Sequence, residues 1–259
     1  MAKLHFLGTC SGTEPMPGMH HTSLVIETNE QYYWFDAGEN CAYTAYLSGI
    51  DVLKTRAIFL SHMHMDHIGG LANLFCCIRK MISLGRGQVV KDNTVEIYAP
   101  RLDLVDAIKG VVAEDLQNFK ALRFETKNTR TFEGLIHEDE NLRVTARHNT
   151  HLKEDGTHGW HSYSFLIEVE GKRVVLSGDV GAPSELDALL EDGCDLLVME
   201  TGHHKVKDVC EYAQQHHPSR LRFSHHGREI INDRPAAEAL ISTYPLDIKI
   251  AYDGLVEEI

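Results

Sequence analysis

Apolar and polar positions divide the chain into short alternating runs and longer helical ones. Residues 3 to 8 alternate into Gly8, and a Gly/Pro-rich loop follows to Gly18. Two strands are predicted over 22–27 and 32–36, with a polar turn at Asn29-Glu30 between them. A short helix at about 41–49 leads to the apolar run from Ala57 to Leu60, read as a strand. From Ile68 to Leu84 the apolar spacing (Ile68, Leu71, Leu74, Phe75, Ile78, Ile82) is helical, and Gly85-Arg86-Gly87 stops it. A strand at 95–98 and an amphipathic helix at about 102–118 come next, then strand and loop to residue 146. A polar loop, 147–161, precedes strands at 163–169 and 173–177, joined by a turn at Glu170-Gly171-Lys172. Helices at 184–191, 205–216 and 235–242 then alternate with strands at 195–199, 220–224 and 248–251.

The order repeats itself. Each half begins with antiparallel strands and continues with alternating strand and helix. That predicts two mixed sheets packed face to face with helices outside, a four-layer αββα sandwich of the α/β class. No linker-like or low-complexity stretch interrupts the 259 residues, so residues 1–259 are read as one domain with ample length for a core.

Composition narrows the functional classes. An apolar fraction of 43% and a charged fraction of 24% are those of a soluble globular protein. No apolar run reaches the length of a membrane span, and the first ten residues read as a strand rather than a signal peptide. The six cysteines form no CxxC pair and no disulfide framework, so the expected compartment is the cytoplasm. Cys76-Cys77 lies inside the helical run and is read as core. A formal charge of −13 argues against broad nucleic-acid binding, although a bound divalent ion reverses the sign locally. Seventeen histidines is a high count, which implies that some of them carry chemistry.

The densest chemistry follows the Ala57–Leu60 strand, in Ser61-His62-Met63-His64-Met65-Asp66-His67. His62 and His64 share one face of an extended chain end, while Asp66 and His67 fall where a helix begins and point elsewhere. Two pairs aimed at neighbouring points suit a two-metal centre. Imidazole and carboxylate donors admit Zn, Mn or Fe rather than a thiolate-type structural zinc. Three further strand ends carry metal-capable side chains: His148 and His151 after 142–146, Asp179 after Leu176-Ser177-Gly178, and His225-His226 after Arg222-Phe223-Ser224. Ligands of α/β sheets gather at such edges. His203 and His204, after the 195–199 strand, fall on the same rim. His20-His21 are placed to border the pocket, and His158 and His161 flank Trp160 in a loop read as a lid or substrate contact.

His62-x-His64-x-Asp66-His67 resembles the signature of the metallo-β-lactamase superfamily. Leu7-Gly8-Thr9-x-Ser11-Gly12, Phe35-Asp36-Ala37-Gly38, Ser177-Gly178-Asp179 and Ala251-Tyr252-Asp253-Gly254 are similar to the ribonuclease Z-like branch. The resemblance implies that His62 and His64 bind a first metal with a histidine of the 148/151 pair. It implies that Asp66, His67 and His225 bind a second, and that Asp179 bridges the two. His151 is preferred to His148, because counting from Val144 it reaches the rim while His148 alternates back along the strand. His226 is read as lying behind the ligands or in solvent, and Asp36 as a carboxylate that orients a ligand histidine. Two divalent ions about 3.5–4 Å apart can hold a bridging hydroxide, with Zn the superfamily default and Mn or Fe admitted. His203 or His204 would supply the proton for the leaving group, and Asp66 is counted with them among the catalytic residues.

The sequence also departs from the tRNA-processing members of that branch. Their basic, glycine-rich arm is missing after Tyr98-Ala99-Pro100, where residues 103–118 carry four acids against one lysine. Their His-Ser-Thr motif is replaced by Glu200-Thr201-Gly202-His203-His204. The expected activity is therefore hydrolysis of a small or cyclic phosphodiester. A ribonuclease Z-type tRNA endonuclease and a hydrolase of lactones, thioesters or sulfur esters are the alternatives. The expected partner is a short phosphodiester substrate, tRNA fitting less well; no membrane is involved, and a homodimer is one arrangement the sequence allows.

Overall fold

In the computed structural model, the described residues are 1–259 apart from Thr13, Pro15, residues 115–121 and His158. Six strands of the first half are β1 (Lys3–Gly8), β2 (Ser23–Thr28), β3 (Gln31–Phe35), β4 (Thr55–Phe59), β5 (Thr94–Ala99) and β6 (Glu125–Arg130). The second half supplies β7 (Gly134–Glu138), β8 (Leu142–His148), β9 (Tyr163–Val169), β10 (Lys172–Leu176), β11 (Leu196–Glu200), β12 (Leu221–Ser224) and β13 (Ile248–Ile250). The last strand, β14 (Val256–Glu258), crosses back and pairs antiparallel with β1. The sheet orders are β14-β1-β2-β3-β4-β5-β6 and β13-β12-β11-β10-β9-β8-β7. Each sheet is antiparallel over its hairpin strands and turns parallel where helices begin to connect it, at β3–β4 and at β10–β11.

Strand alternation explains the layering. Leu4 and Phe6 of β1, Tyr33 and Phe35 of β3, and Ala57 and Phe59 of β4 face the other sheet, meeting Val144, Phe165, Ile167 and Leu176. Their neighbours Leu7, Trp34 and Ile58 face the opposite way, onto the helix layer built from Leu71, Leu74, Phe75 and Ile78. A second helix layer packs Val206, Val209, Cys210 and Ala213 against Val175, Leu197 and Phe223. Two helix-facing cores and one inter-sheet core make the four-layer αββα sandwich that the sequence predicts. Among the described residues, no helix is long and apolar enough to cross a membrane.

Several boundaries differ from the sequence reading, each for a local reason. The helix expected over 68–84 is two helices, Met65–Ile68 and Leu71–Ser83, broken at Gly69-Gly70. A Cβ at Gly70 would lie 2.1 Å from the Gly38 carbonyl, so the break lets the motif loop pack against the end of β3. The 184–191 helix is a 3-10 turn, Pro183–Leu186, followed by a single α turn, Asp187–Leu190. The 102–118 helix is seen over Leu102–Glu114, and the rest of that expectation lies outside the described residues. The helix Arg228–Asn232 and strands β6, β7 and β14 were not placed from the sequence, because they are short, polar or without a clean period. Cys76 and Cys77 are half-buried against the helix-facing core, and all six cysteines are free.

Candidate metal centre

The C-terminal ends of β4, β8, β10, β11 and β12 meet at one edge of the sandwich, and each delivers a polar side chain there. The Ser61–His67 stretch leaves β4, and its bend begins at Ser61. His62 and His67 are fully buried, Asp66 and Asp179 nearly so, and His64 faces outward. Asp179 follows Gly178, whose φ of +56° is the left-handed turn that swings the chain off β10. His225 follows β12 with φ +47°, and Asp36 ends β3 with φ +62°, both rare for residues bearing a side chain. Such conformations cost on the order of 1–3 kcal/mol each and cluster at functional sites.

Two groups of ligand atoms form, joined by one carboxylate, and a third overlaps them. His62, His64, His151 and Asp179 bring one donor atom each within 4.8 Å of one another, Asp66, His67 and His225 do the same, and so do Asp179, His203 and His225. His62 Nε2 is 3.0 Å from His64 Nδ1, and His151 Nε2 is 3.3 Å from that same atom. Asp179 Oδ2 faces this group, 3.7 Å from His62 Nε2 and 3.6 Å from His151 Nε2. Its other oxygen, Oδ1, faces the second group, 3.3 Å from both His67 Nε2 and His225 Nε2. Asp66 Oδ2 closes that group at 3.2 Å from His225 Nε2.

The surroundings test whether these residues suit divalent ions. His67 Nε2 and Asp179 Oδ1 are buried with no hydrogen-bond partner, an expensive state for a polar atom unless something else binds it. Their neighbours are also strongly polarised. Burial opposes a proton on His67, yet the Asp179 and Asp36 carboxylates hold its pKa well above the ordinary imidazole value. His225 is likewise carried, against its burial, up to about 9 by Asp179 and Asp66. Burial would raise Asp179, but His225 and His67 hold it well below the carboxylate range. In the first group, burial and the neighbouring His67 push His62 well below its usual value, and burial lowers His151. His67 and His225 carry protons that binding of a divalent ion would release, whereas lowered pKa values leave His62 and His151 neutral. Imidazoles able to give up that proton, beside ionised carboxylates, are the donor set that Zn, Mn or Fe requires. The residues fit a pair of such ions.

The remaining histidines divide by what holds them. His203 belongs to the overlapping third group, its Nδ1 3.8 Å from Asp179 Oδ2; its ring is 4.8 Å from that of His151, and the same Nδ1 is 3.1 Å from Glu200 Oε1. That contact raises the His203 pKa, and His203 and His225 in turn draw Glu200 down to about 2. His204, the other expected proton donor, points elsewhere: its Nε2 donates to the Val180 carbonyl at 3.0 Å, so it braces the loop after Asp179. His148 is stacked on Trp160, ring centroids 4.0 Å apart, and its Nδ1 meets Glu133, which keeps it out of both groups. His226 is buried and donates from Nε2 to the Ala251 carbonyl at 2.9 Å, behind the site and away from solvent. His21 is buried beside Glu39, His20 lies near Asn40, and His161 pairs with Asp155; none joins a ligand group. His158 lies outside the described residues.

Three positions that the sequence reading left unused prove close to the chemistry. Glu200 ends β11 as Ser224 ends β12, and its strand-end place was the available signal. Glu185 accepts from the Thr150 amide and from the Gly181 amide, at 3.1 and 2.9 Å, joining the loop of His151 to that of Asp179. Ser61 sits inside the opening motif, masked by the ionisable residues beside it. The terminal motif also acquires a purpose. Asp253 accepts from Thr9 Oγ1 at 2.7 Å and from the His20 amide at 2.5 Å, fixing the first loop. That loop delivers the Gly12 amide to Asp66 Oδ2 at 2.7 Å. Gly202 is needed as well, since a Cβ there would stand 2.6 Å from the His225 ring.

Known proteins resemble this chain in sequence and fold. The family model described as anti-Pycsar protein Apyc1 matches residues 2–233. A ribonuclease Z of Methanothermobacter thermautotrophicus is 28% identical over 95% of this chain and 93% of its own length. Among solved structures, the short form of human tRNase Z covers 99% of both chains with a TM-score of 0.74 at 21% identity. The metallo-β-lactamase fold protein YhfI from Bacillus subtilis covers 100% of this chain and 99% of its own, with a TM-score of 0.73 at 18% identity. These two structural likenesses speak to the fold.

Proposed function

Because the chain belongs to the anti-Pycsar protein Apyc1 family, a ribonuclease Z-like branch of the metallo-β-lactamase superfamily, we propose that it opens a small or cyclic phosphodiester at a two-ion centre. Hydrolase chemistry comes with that membership; the ion count and the substrate are inferred. The observation that carries the inference is Asp179, whose two oxygens face two separate groups of His and Asp donors. His62, His64 and His151 would hold one ion and Asp66, His67 and His225 the other, with Zn, Mn or Fe admitted by the donor set. Bound there, two divalent ions supply an activated water and offset the charge that builds on a phosphoryl oxygen.

The chain's own residues complete the reaction. Glu200 Oε1 can only accept, so His203 Nδ1 carries a proton and the imidazole is held by one edge. A second proton on Nε2, favoured by the raised pKa, would serve the departing oxygen. His203→Gln should lower the turnover number by about 10²–10⁴-fold and erase the alkaline limb of the pH–rate profile while metal content stays unchanged. An unaltered alkaline limb would remove His203 from the donor role.

The charge balance favours a small substrate. With −13 overall, and four acids against one lysine over 103–118, the surface offers little basic footprint for a polyanion. The reading as a tRNA-processing endonuclease is supported by the name of the 28% identical relative. Initial rates on bis-p-nitrophenyl phosphate, a small cyclic phosphodiester, a precursor tRNA, and a panel of lactones and thioesters separate the alternatives. Preference for the cyclic phosphodiester is expected. A preference for the tRNA, lost as salt rises, would favour the endonuclease, and a preference for a lactone or thioester would move the activity to carboxyl chemistry.

A further inference from the structure

His62 and His67 stand in different ligand groups, yet one carboxylate lies behind both. Asp36 Oδ2 is 2.7 Å from His67 Nδ1 and accepts the Ser61 hydroxyl at 2.8 Å, while Oδ1 accepts the Ser61 amide at 2.7 Å. Ser61 Oγ in turn lies 3.0 Å from His62 Nδ1, and a longer 3.4 Å from His67 Nδ1, whose proton Asp36 already takes at 2.7 Å. All four residues are buried, Ser61 at 1% exposure.

Counting protons fixes the direction of each bond. A hydroxyl has a single proton, and Asp36 takes it, so Ser61 Oγ has only lone pairs to offer His62. His62 Nδ1 must therefore be the protonated nitrogen, leaving Nε2 bare toward His64 and Asp179. Asp36 likewise fixes a proton of His67 on Nδ1, so that Nε2, the atom found buried without a partner, is the one turned to the second group.

We propose that Ser61 is a positioning residue that relays Asp36 to His62, so that one buried carboxylate sets the tautomer and ring direction of one histidine in each metal group. This goes beyond the ordinary pairing of one carboxylate with one ligand histidine. It makes the two halves of the centre share a support, at the bend where the chain leaves β4. It also accounts for a serine at this point. A Cβ built on Gly178 would lie 3.1 Å from Ser61 Cβ, so the glycine at 178 leaves the Ser61 side chain its room.

The proposal rests on the two-ion reading and is tested without any substrate. Metal-stripped protein is titrated with Zn against a chromophoric chelator that competes for it. The wild-type chain should take up two ions. Ser61→Ala should retain one affinity and lose about 10–100-fold in the other, the range for removing such a supporting contact. Ser61→Thr, which keeps the hydroxyl, should restore the lost affinity, and Asp36→Asn should weaken both. A Ser61→Ala protein that titrates like wild type, or one that loses both affinities equally, overturns the relay. Uptake of fewer than two ions by the wild-type chain overturns the two-ion reading, and the relay with it.

Discussion

Single side chains decide the chemistry here, and the most consequential is Asp179. Replacing it with alanine removes both oxygens that face the two groups. Asp179→Ala should abolish most activity and lower metal content as read by elemental analysis; full activity with two ions retained would end its role as the shared ligand. His151 and His148 give a sharper contrast, because they lie three residues apart. His151 belongs to the first group, while His148 is stacked on Trp160 against Glu133. His151→Ala should lower metal affinity and activity by about 10-fold or more, and His148→Ala should leave metal binding near wild type. Equal losses from the two substitutions would contradict the assignment. At this scale the proposed ligands were legible as candidates in the sequence, and the structure brings them together, because ionisable side chains at strand ends have few structural uses. Glu200, Ser61 and Glu185 were not, since an acid or serine at a strand end is common and its role depends on who faces it in space.

At the level of elements, loops rather than strands hold the site's spacing. Glu185, in the 3-10 turn after β10, binds Thr150 of one ligand loop and Gly181 of the other. Glu185→Ala should therefore weaken metal affinity while changing the melting temperature little; an unchanged metal titration would show that the loops hold themselves. Away from the candidate metal centre, β4, β5 and the β7–β8 hairpin share a buried ionic cluster between the sheets. His137 lies 3.1 Å from Glu96 and 3.2 Å from Asp139, with Arg56 and the Tyr98 and Tyr33 hydroxyls around them. Burial opposes the charged imidazole, but Asp139 and Glu96 raise its pKa above the ordinary imidazole value. A raised value in the fold means that the stabilisation is complete below about pH 6.5 and is lost as pH rises through the folded value. The melting-temperature penalty of His137→Asn should consequently be largest below pH 6.5 and shrink on alkalinisation. A penalty that stays constant with pH would mean that His137 is neutral in the fold. Neither the Glu185 bridge nor this cluster was readable from local periodicity, because each joins residues tens of positions apart.

Across the whole molecule, the repeat of hairpin strands followed by strand and helix foretold two sheets and four layers. The return of β14 to the first sheet was hidden, being three residues of mostly polar chain. It is secured from the other sheet: Arg222 of β12, 1% exposed, donates from Nε to Glu257 of β14 at 2.6 Å. The two sheets thus share both an apolar interior and an ionic stitch near their far edges, and between them they hold one polar rim to which both contribute. First-half residues 62, 64, 66 and 67 meet second-half residues 151, 179 and 225 there, so the site exists only when both sheets have assembled. Its central claim, two ions used together on a phosphodiester, is tested most directly by the initial rate on bis-p-nitrophenyl phosphate as Zn is added back to metal-stripped protein. The rate should climb until two equivalents are bound and then level off. A plateau at one equivalent, with no further gain at two, would contradict it.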